Sequence, residues 1–216
     1  MKNKKTIDFG WPQYQTGIAE ANNMEKRFHA ILFPADHPKW VEEDGFTQED
    51  LNNLVRIVAE FINKHDMQEI VVANEVGIPA HWMSPDLYWQ AFGMDYVLQA
   101  FRIAREVNPQ AKLIYNDTAN HKYGTQGYSM TAQVSRALHE EGLIDYVGIQ
   151  MHAEQNEYLN KDALIEIVQG YPVPVVITEF DVLMTSLSGQ AAEDELNRIT
   201  RIVFDACLES GVCESI

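Results

Sequence analysis

Short apolar runs alternate along this chain with longer stretches whose apolar residues recur every three or four positions. Residues 28–33, 69–75, 112–117, 145–152 and 173–180 are the short runs, rich in Val, Ile, Leu, Tyr and Phe. Their apolar character is continuous rather than alternating, as in strands buried on both faces. The longer stretches read as helices over 12–26, 47–64, 93–107, 126–141, 161–169 and 191–209. In the first, Tyr14, Ile18 and Ala21 share one side; in the second, Leu51, Leu54, Val55, Val58 and Ile62 form the apolar face. Thr47 is a good N-cap with Asp50 three residues on, close to a capping box, and Gly142 is a good C-cap. Pro34 stops the first strand. The pattern is strand then helix, five times over, with no linker-like break. Such alternation implies a parallel sheet, either doubly wound or closed as a barrel.

The ends of the apolar runs change the picture. Ile70-Val71-Val72-Ala73 finishes in Asn74-Glu75, and Val175-Val176-Ile177 finishes in Thr178-Glu179. Burying a carboxylate costs several kcal/mol unless it is paired or neutralised. A strand that ends this way offers a reactive group at its C-terminal end. Polar residues gather at the other strand ends too: Asn116, Asp117, Gln150, His152 and Asp181. Any one of them has an ordinary explanation. An Asn or Asp after a strand is commonly a turn or cap, and a strand histidine is commonly a satisfied core residue. Four successive strands ending alike point instead to a shared site, because the C-terminal edge of a parallel sheet carries the active site in both architectures. No Gly-x-Gly-x-x-Gly follows any strand and there is no phosphate loop, which favours a barrel over a dinucleotide-binding sheet.

Charge narrows the partners. The 32 acidic and 16 basic residues give a net charge of −16, which repels nucleic acid and anionic membrane surfaces and favours solubility. The length suffices for one domain with a sizeable core. No run approaches the ~18 apolar residues of a membrane span. The basic start Met1–Lys5 is not followed by the apolar segment of a signal peptide. Cys207 and Cys213 read either as two buried free thiols or as a disulfide closing a short loop, the latter implying an oxidising compartment. Their spacing does not fit a metal site, and no metal or cofactor is expected.

Two carboxyls, several amides and aromatic loops suit glycosidic bond cleavage. One carboxyl must be protonated to assist the leaving oxygen, and the other ionised to attack the anomeric carbon or activate water. Amides and histidine bind sugar hydroxyls. The loop 76–91, with His81, Trp82, Tyr88 and Trp89, supplies rings that stack on sugar faces. A metal-dependent hydrolase would use His-x-His or His-Glu-x-x-His, and a serine triad a Gly-x-Ser-x-Gly elbow; none of these occurs.

The same residues resemble glycoside hydrolase family 10, the retaining endo-1,4-β-xylanases built on a (β/α)8 TIM barrel. Asn74-Glu75 is similar to the family's Asn-Glu at its fourth barrel strand, which implies that Glu75 is the acid/base. Thr178-Glu179-Phe180-Asp181 is similar to its Thr-Glu-Leu-Asp, which implies that Glu179 is the nucleophile and Asp181 a supporting residue. Gly148–His152 resembles the Gln-x-His segment, so Gln150 and His152 are expected at the site, His152 beside the nucleophile. Tyr115-Asn116-Asp117 resembles a further strand motif, bringing in Asn116. His29–Phe33 with Pro38-Lys39-Trp40 resembles the third-strand segment, bringing in His29; Asn74 would reach a sugar hydroxyl. Cys207 and Cys213 resemble a cysteine pair before the family's eighth strand. The two carboxyls are expected about 5 to 5.5 Å apart, the retaining spacing.

There are departures. Pro34 stands where the family usually has a histidine. The resemblance covers strands 3 to 7, so the expected fold is an incomplete barrel of about five βα units, residues 1–216 forming one partial catalytic domain. Its open edges would favour self-association. The implied substrate is xylan or xylo-oligosaccharides, the implied location of a full-length member extracellular or periplasmic. The alternative is an inactive or carbohydrate-binding remnant of such a domain.

Overall fold

A computed structural model describes residues 7–43, 46–76 and 86–216. The expected aromatic residues His81 and Trp82 lie outside the described residues. The chain forms two compact units, one comprising 1–114 with 141–144, the other 115–140 with 145–216.

The first unit holds helix α1 (Gly10–Ala21), strand β1 (Arg27–Leu32), helices α2 (Trp40–Glu43) and α3 (Gln48–Lys64), strand β2 (Glu69–Asn74), helices α4 (Leu87–Phe92) and α5 (Asp95–Val107), and the start of β3 (Lys112–Asp117). Helix α3 starts where its sequence dictates. Thr47 Oγ1 accepts from the Asp50 amide at 3.1 Å, and the Asp50 carboxylate accepts from the Thr47 amide at 3.0 Å, completing the capping box. Its apolar face packs against α5 and β1, and α5, with Tyr96, Val97, Ala100 and Phe101, packs against β2, whose residues Ile70 to Ala73 are inaccessible to solvent. Helix α4 occupies part of what reads as loop in the sequence. Asp86 caps it, accepting from the Trp89 amide at 2.8 Å, and its other oxygen accepts from the buried Tyr96 hydroxyl at 2.9 Å.

Two expectations fail at the start of this unit. The apolar side of α1 is not buried: Tyr14 is 60% and Ile18 47% exposed, while Thr16 is the buried residue. Strand β1 is buried only at Ile31 and Leu32; Arg27 and His29 are exposed. Among the described residues β1 pairs with β2 alone, parallel, with Phe28 opposite Ile70, so one of its edges has no strand beside it. An edge strand loses the two-sided cover that a continuous apolar run implies.

The second unit holds the end of β3, then α6 (Gln126–Glu140), β4 (Tyr146–Glu154), α7 (Lys161–Gln169), β5 (Val175–Leu183), α8 (Gly189–Ser210) and a short β6 (Cys213–Ser215). Helix α8 stops at Gly211, whose left-handed φ of 68° an L side chain rarely adopts. Strand β6 corrects the count of five. It pairs parallel with β5, Val175 opposite Cys213, and three residues are too few to signal a strand by periodicity. Cys207 and Cys213 form a disulfide that ties the last turn of α8 to β6, settling the choice between free thiols and a bridge.

The strands follow sequence order in one sheet, β1-β2-β3-β4-β5-β6. A doubly wound sheet reverses its order at a switch point; this one does not, which is the winding of a barrel. Among the described residues no helix is long and apolar enough to cross a membrane.

Candidate active site

In the first unit, β2 ends at Asn74, which is 2% exposed, and Val76 beyond it is fully buried. Glu75 between them is half-buried and takes a left-handed φ of 53°. That conformation costs a non-glycine residue of order 1 kcal/mol or more and turns the chain sharply as the strand ends. The carboxylate is therefore carried on a kink rather than in the last rung of the strand. His29 lines a cleft of about 530 Å³ together with Trp11, Gln15, Lys26, Arg27 and Phe28.

In the second unit, four of the expected residues meet through side chains. Asn116 is fully buried near the end of β3. Its Nδ2 donates to Glu179 Oε1 at 3.0 Å, and its Oδ1 accepts from the Thr178 hydroxyl at 2.5 Å. Thr178 and Glu179 are successive residues and would face opposite ways in a regular strand. Here the register slips. Ile149 lies opposite Ile177 but Gln150 opposite Glu179, so β5 carries one extra residue, Thr178, in a β-bulge. Bulges re-aim side chains beside active sites, and this one lets both residues reach one carboxamide. Space for that carboxamide comes from β4: a Cβ on Gly148 would stand 2.4 Å from Asn116 Oδ1.

On the other side of Glu179, His152 Nε2 is 3.3 Å from Glu179 Oε2, and His152 Nδ1 is 2.8 Å from Asp181 Oδ2. The imidazole thus bridges two carboxylates. His152 stands opposite Asp181 in the β4–β5 register, as Gln150 stands opposite Glu179, so all four share one stretch of ladder. His152 is exposed, not a core histidine.

The chain after β3 props up this ladder. Asn120 Nδ2 donates to the Gly148 carbonyl at 2.9 Å, and His121 Nδ1 lies 3.1 Å from the Gln150 carbonyl. These two contacts tie the chain after β3 to the backbone of β4. The Tyr171 hydroxyl donates to the Asn120 carbonyl at 2.7 Å. His121 is 3% exposed, and burial, with Lys122 nearby, pushes its imidazole down to about 4. Asp117 is structural: it accepts from the Tyr115 hydroxyl at 2.5 Å and from the Thr118 amide at 2.8 Å. That is the ordinary role of an aspartate after a strand.

Asn116, His152, Glu179 and Asp181 therefore form one connected cluster, with Gln150 beside them in the ladder. Glu75, Asn74 and His29 belong to the first unit. Thr178, Gly148 and His121 carry or shape the cluster without having been assigned a role from the sequence. Gly148 did carry a signal, since a glycine inside a strand marks a close approach. The bulge at Thr178 left none.

Carboxylates at parallel-strand ends, oriented by an amide and an imidazole, fit the class of barrel-type glycoside hydrolases. The chain belongs to glycosyl hydrolase family 10: the profile of that family matches residues 1–216. It is 28% identical over 203 residues to endo-1,4-beta-xylanase A of Thermoanaerobacterium saccharolyticum, covering 87% of this chain and 18% of that protein. It is 27% identical over 203 residues to exoglucanase XynX of Acetivibrio thermocellus, covering 87% of this chain and 19% of that protein. The fold matches the crystal structure of xylanase 10B from Thermotoga petrophila RKU-1, solved with xylobiose, at a TM-score of 0.87 and 24% identity, covering 99% of this chain and 67% of that one. The chain thus spans about a fifth of the length of these two curated relatives, and its open sheet is an incomplete (β/α)8 barrel.

Proposed function

We propose that this chain is the catalytic part of a retaining endo-1,4-β-xylanase, with Glu179 as nucleophile and Glu75 as acid/base. The observation that carries the reading is the way Glu179 is held: one oxygen on the Asn116 amide, the other beside His152. A carboxylate with an amide donor at one oxygen and an imidazole beside the other is held in one orientation, as a nucleophile must be. In the first step a Glu179 oxygen attacks the anomeric carbon, the glycosidic bond breaks, and Glu75 gives its proton to the departing sugar oxygen. In the second step Glu75 takes a proton from water, the water oxygen bonds to the anomeric carbon, and Glu179 is released. The substrate is a β-1,4-xylan or xylo-oligosaccharide, the chemistry in the names of several relatives. The disulfide supports a working place outside the reducing cytosol. Edge strands β1 and β6 support self-association.

Hydrolysis of an aryl β-xylobioside tests this, with an aryl β-cellobioside beside it because one relative is named an exoglucanase. Glu179→Ala should abolish turnover of every xylobioside. Glu75→Ala should abolish it where the leaving group needs a proton and spare the first step where a dinitrophenolate leaves unaided. Full activity in Glu179→Ala, or an inverted anomer as first product, overturns the roles. An inert wild type that still binds xylo-oligosaccharides in calorimetry would favour the remnant reading, which rests on the partial span of the relatives.

A further inference from the structure

We propose that Thr178 is a positioning residue: its hydroxyl decides which end of the Asn116 carboxamide faces Glu179, and the extra residue in β5 exists to let it do so. The inference rests on Glu179 being the nucleophile.

The argument starts from a symmetry. The oxygen and nitrogen ends of a carboxamide are nearly identical in shape, so packing alone does not choose between them. They differ fully in chemistry. Turned one way, Asn116 donates to Glu179; turned the other, it sets an amide oxygen against a carboxylate oxygen. A carboxylate without a proton only accepts, so Asn116 bonds to Glu179 only through Nδ2, with Oδ1 then facing Thr178. The hydroxyl has a single proton. Two acceptors lie within its reach, Asn116 Oδ1 at 2.5 Å and the Ile149 carbonyl at 3.2 Å. Donation to Oδ1 fixes the catalytically useful orientation. Donation to Ile149 would leave the hydroxyl accepting and would invite Nδ2 to turn toward Thr178 and away from Glu179. The shorter contact is the one that orders the chain Thr178 to Asn116 to Glu179.

That chain exists only because of the bulge. With Ile149 opposite Ile177 and Gln150 opposite Glu179, Thr178 has no partner position in β4 and shares a face with Glu179. In a regular strand it would point to the other face of the sheet. Asn116 is fully buried, so water does not compensate for a lost donor at Oδ1.

The test uses Thr178→Val, which keeps the shape and removes the hydroxyl, and Thr178→Ser, which keeps the hydroxyl. On an aryl β-xylobioside, Thr178→Val should lower kcat by about ten- to a hundredfold with KM changed less than about threefold, and Thr178→Ser should recover most of kcat. A second readout does not depend on turnover. In NMR spectra the Asn116 side-chain NH2 pair should shift and broaden in Thr178→Val and return in Thr178→Ser. Wild-type kcat in Thr178→Val, equal losses in Val and Ser, or an Asn116 NH2 pair indifferent to residue 178 would each overturn the proposal. An inert wild type with an Asn116 signal that follows residue 178 would instead overturn the xylanase reading and leave the orienting bond standing. Should Thr178→Val fail to fold, Thr178→Ala takes its place in both measurements.

Discussion

Gly148 faces the Asn116 carboxamide so closely that a single methyl group at position 148 would lie 2.4 Å from Oδ1 and 3.0 Å from Cγ. The side chain that holds Glu179 therefore exists by leave of a missing Cβ on the neighbouring strand. Gly148→Ala should force Asn116 to move, breaking its bonds to Thr178 and Glu179 together. Overpacking a filled interior costs roughly 1–3 kcal/mol, so the variant should fold with a lower urea midpoint. Its hydrolysis of an aryl xylobioside should fall by more than that of Thr178→Val, since the amide is displaced and not merely released. A wild-type rate in Gly148→Ala would show that the carboxamide has room to yield.

The sequence revealed the strands that carry the site better than the geometry within it. Apolar runs ending in Asn74-Glu75 and Thr178-Glu179 were legible because a carboxylate at the end of a buried strand is costly and calls for a reason. The Thr47–Asp50 cap was legible because it is local. Tyr14 and Ile18 misled, because an amphipathic stripe records that a face is apolar, not that something covers it. The same holds for His29, on a strand that reads as buried but lies at an edge. The bulge at Thr178 is a matter of register between β4 and β5, and no property of residues 175–183 alone encodes it. Gln-x-His placed Gln150 and His152 on one face, but that His152 bridges Glu179 and Asp181 depends on two strands at once.

His121 gives the second unit a pH dependence. Its imidazole sits at about 4 in the folded chain and near 6.5 when solvated. Between those values the unfolded chain binds a proton that the folded chain refuses, so this contribution is complete above about pH 6.5 and is lost as pH falls toward 4. Its full extent is roughly 3 kcal/mol. His121→Asn can keep a donor near the Gln150 carbonyl and removes the titration. Urea unfolding at pH 7 and pH 4.5 should show a smaller loss of stability in the variant than in the wild type. Equal losses would mean that His121 opens to water before the chain unfolds.

The disulfide ties the end of α8 to an edge strand only three residues long. Closing so short a loop in the unfolded chain contributes roughly 2 kcal/mol. Reduction, or Cys207→Ser with Cys213→Ser, should lower stability by about that amount. The local effect should be larger than the global one. The Val175 amide, which donates to the Val212 carbonyl at 2.9 Å, should exchange with deuterium faster than amides in the middle of β4. Unchanged protection at Val175 would mean that β6 is held by packing and not by the bridge.

If Glu179 is the nucleophile, Asp181 separates stability from catalysis most cleanly. Its side chain is 63% exposed and that of His152 42% exposed, so their contact at 2.8 Å is worth under about 1 kcal/mol to folding. Its value to the reaction lies in hydrogen-bond direction. With Nδ1 held by Asp181, the ring turns Nε2 toward Glu179. Asp181→Asn weakens that hold on Nδ1 and keeps nearly the same volume. The ring would then be free to turn, and Glu179 would lose an oriented neighbour at Oε2. The expected result is a urea midpoint within error of the wild type and a kcat reduced by about tenfold, with KM little changed. His152→Ala should lose more, and adding Asp181→Asn to it should cost almost nothing further, because the aspartate acts through the ring. Additive losses in the double variant would show that Asp181 reaches the substrate or Glu179 by a route of its own.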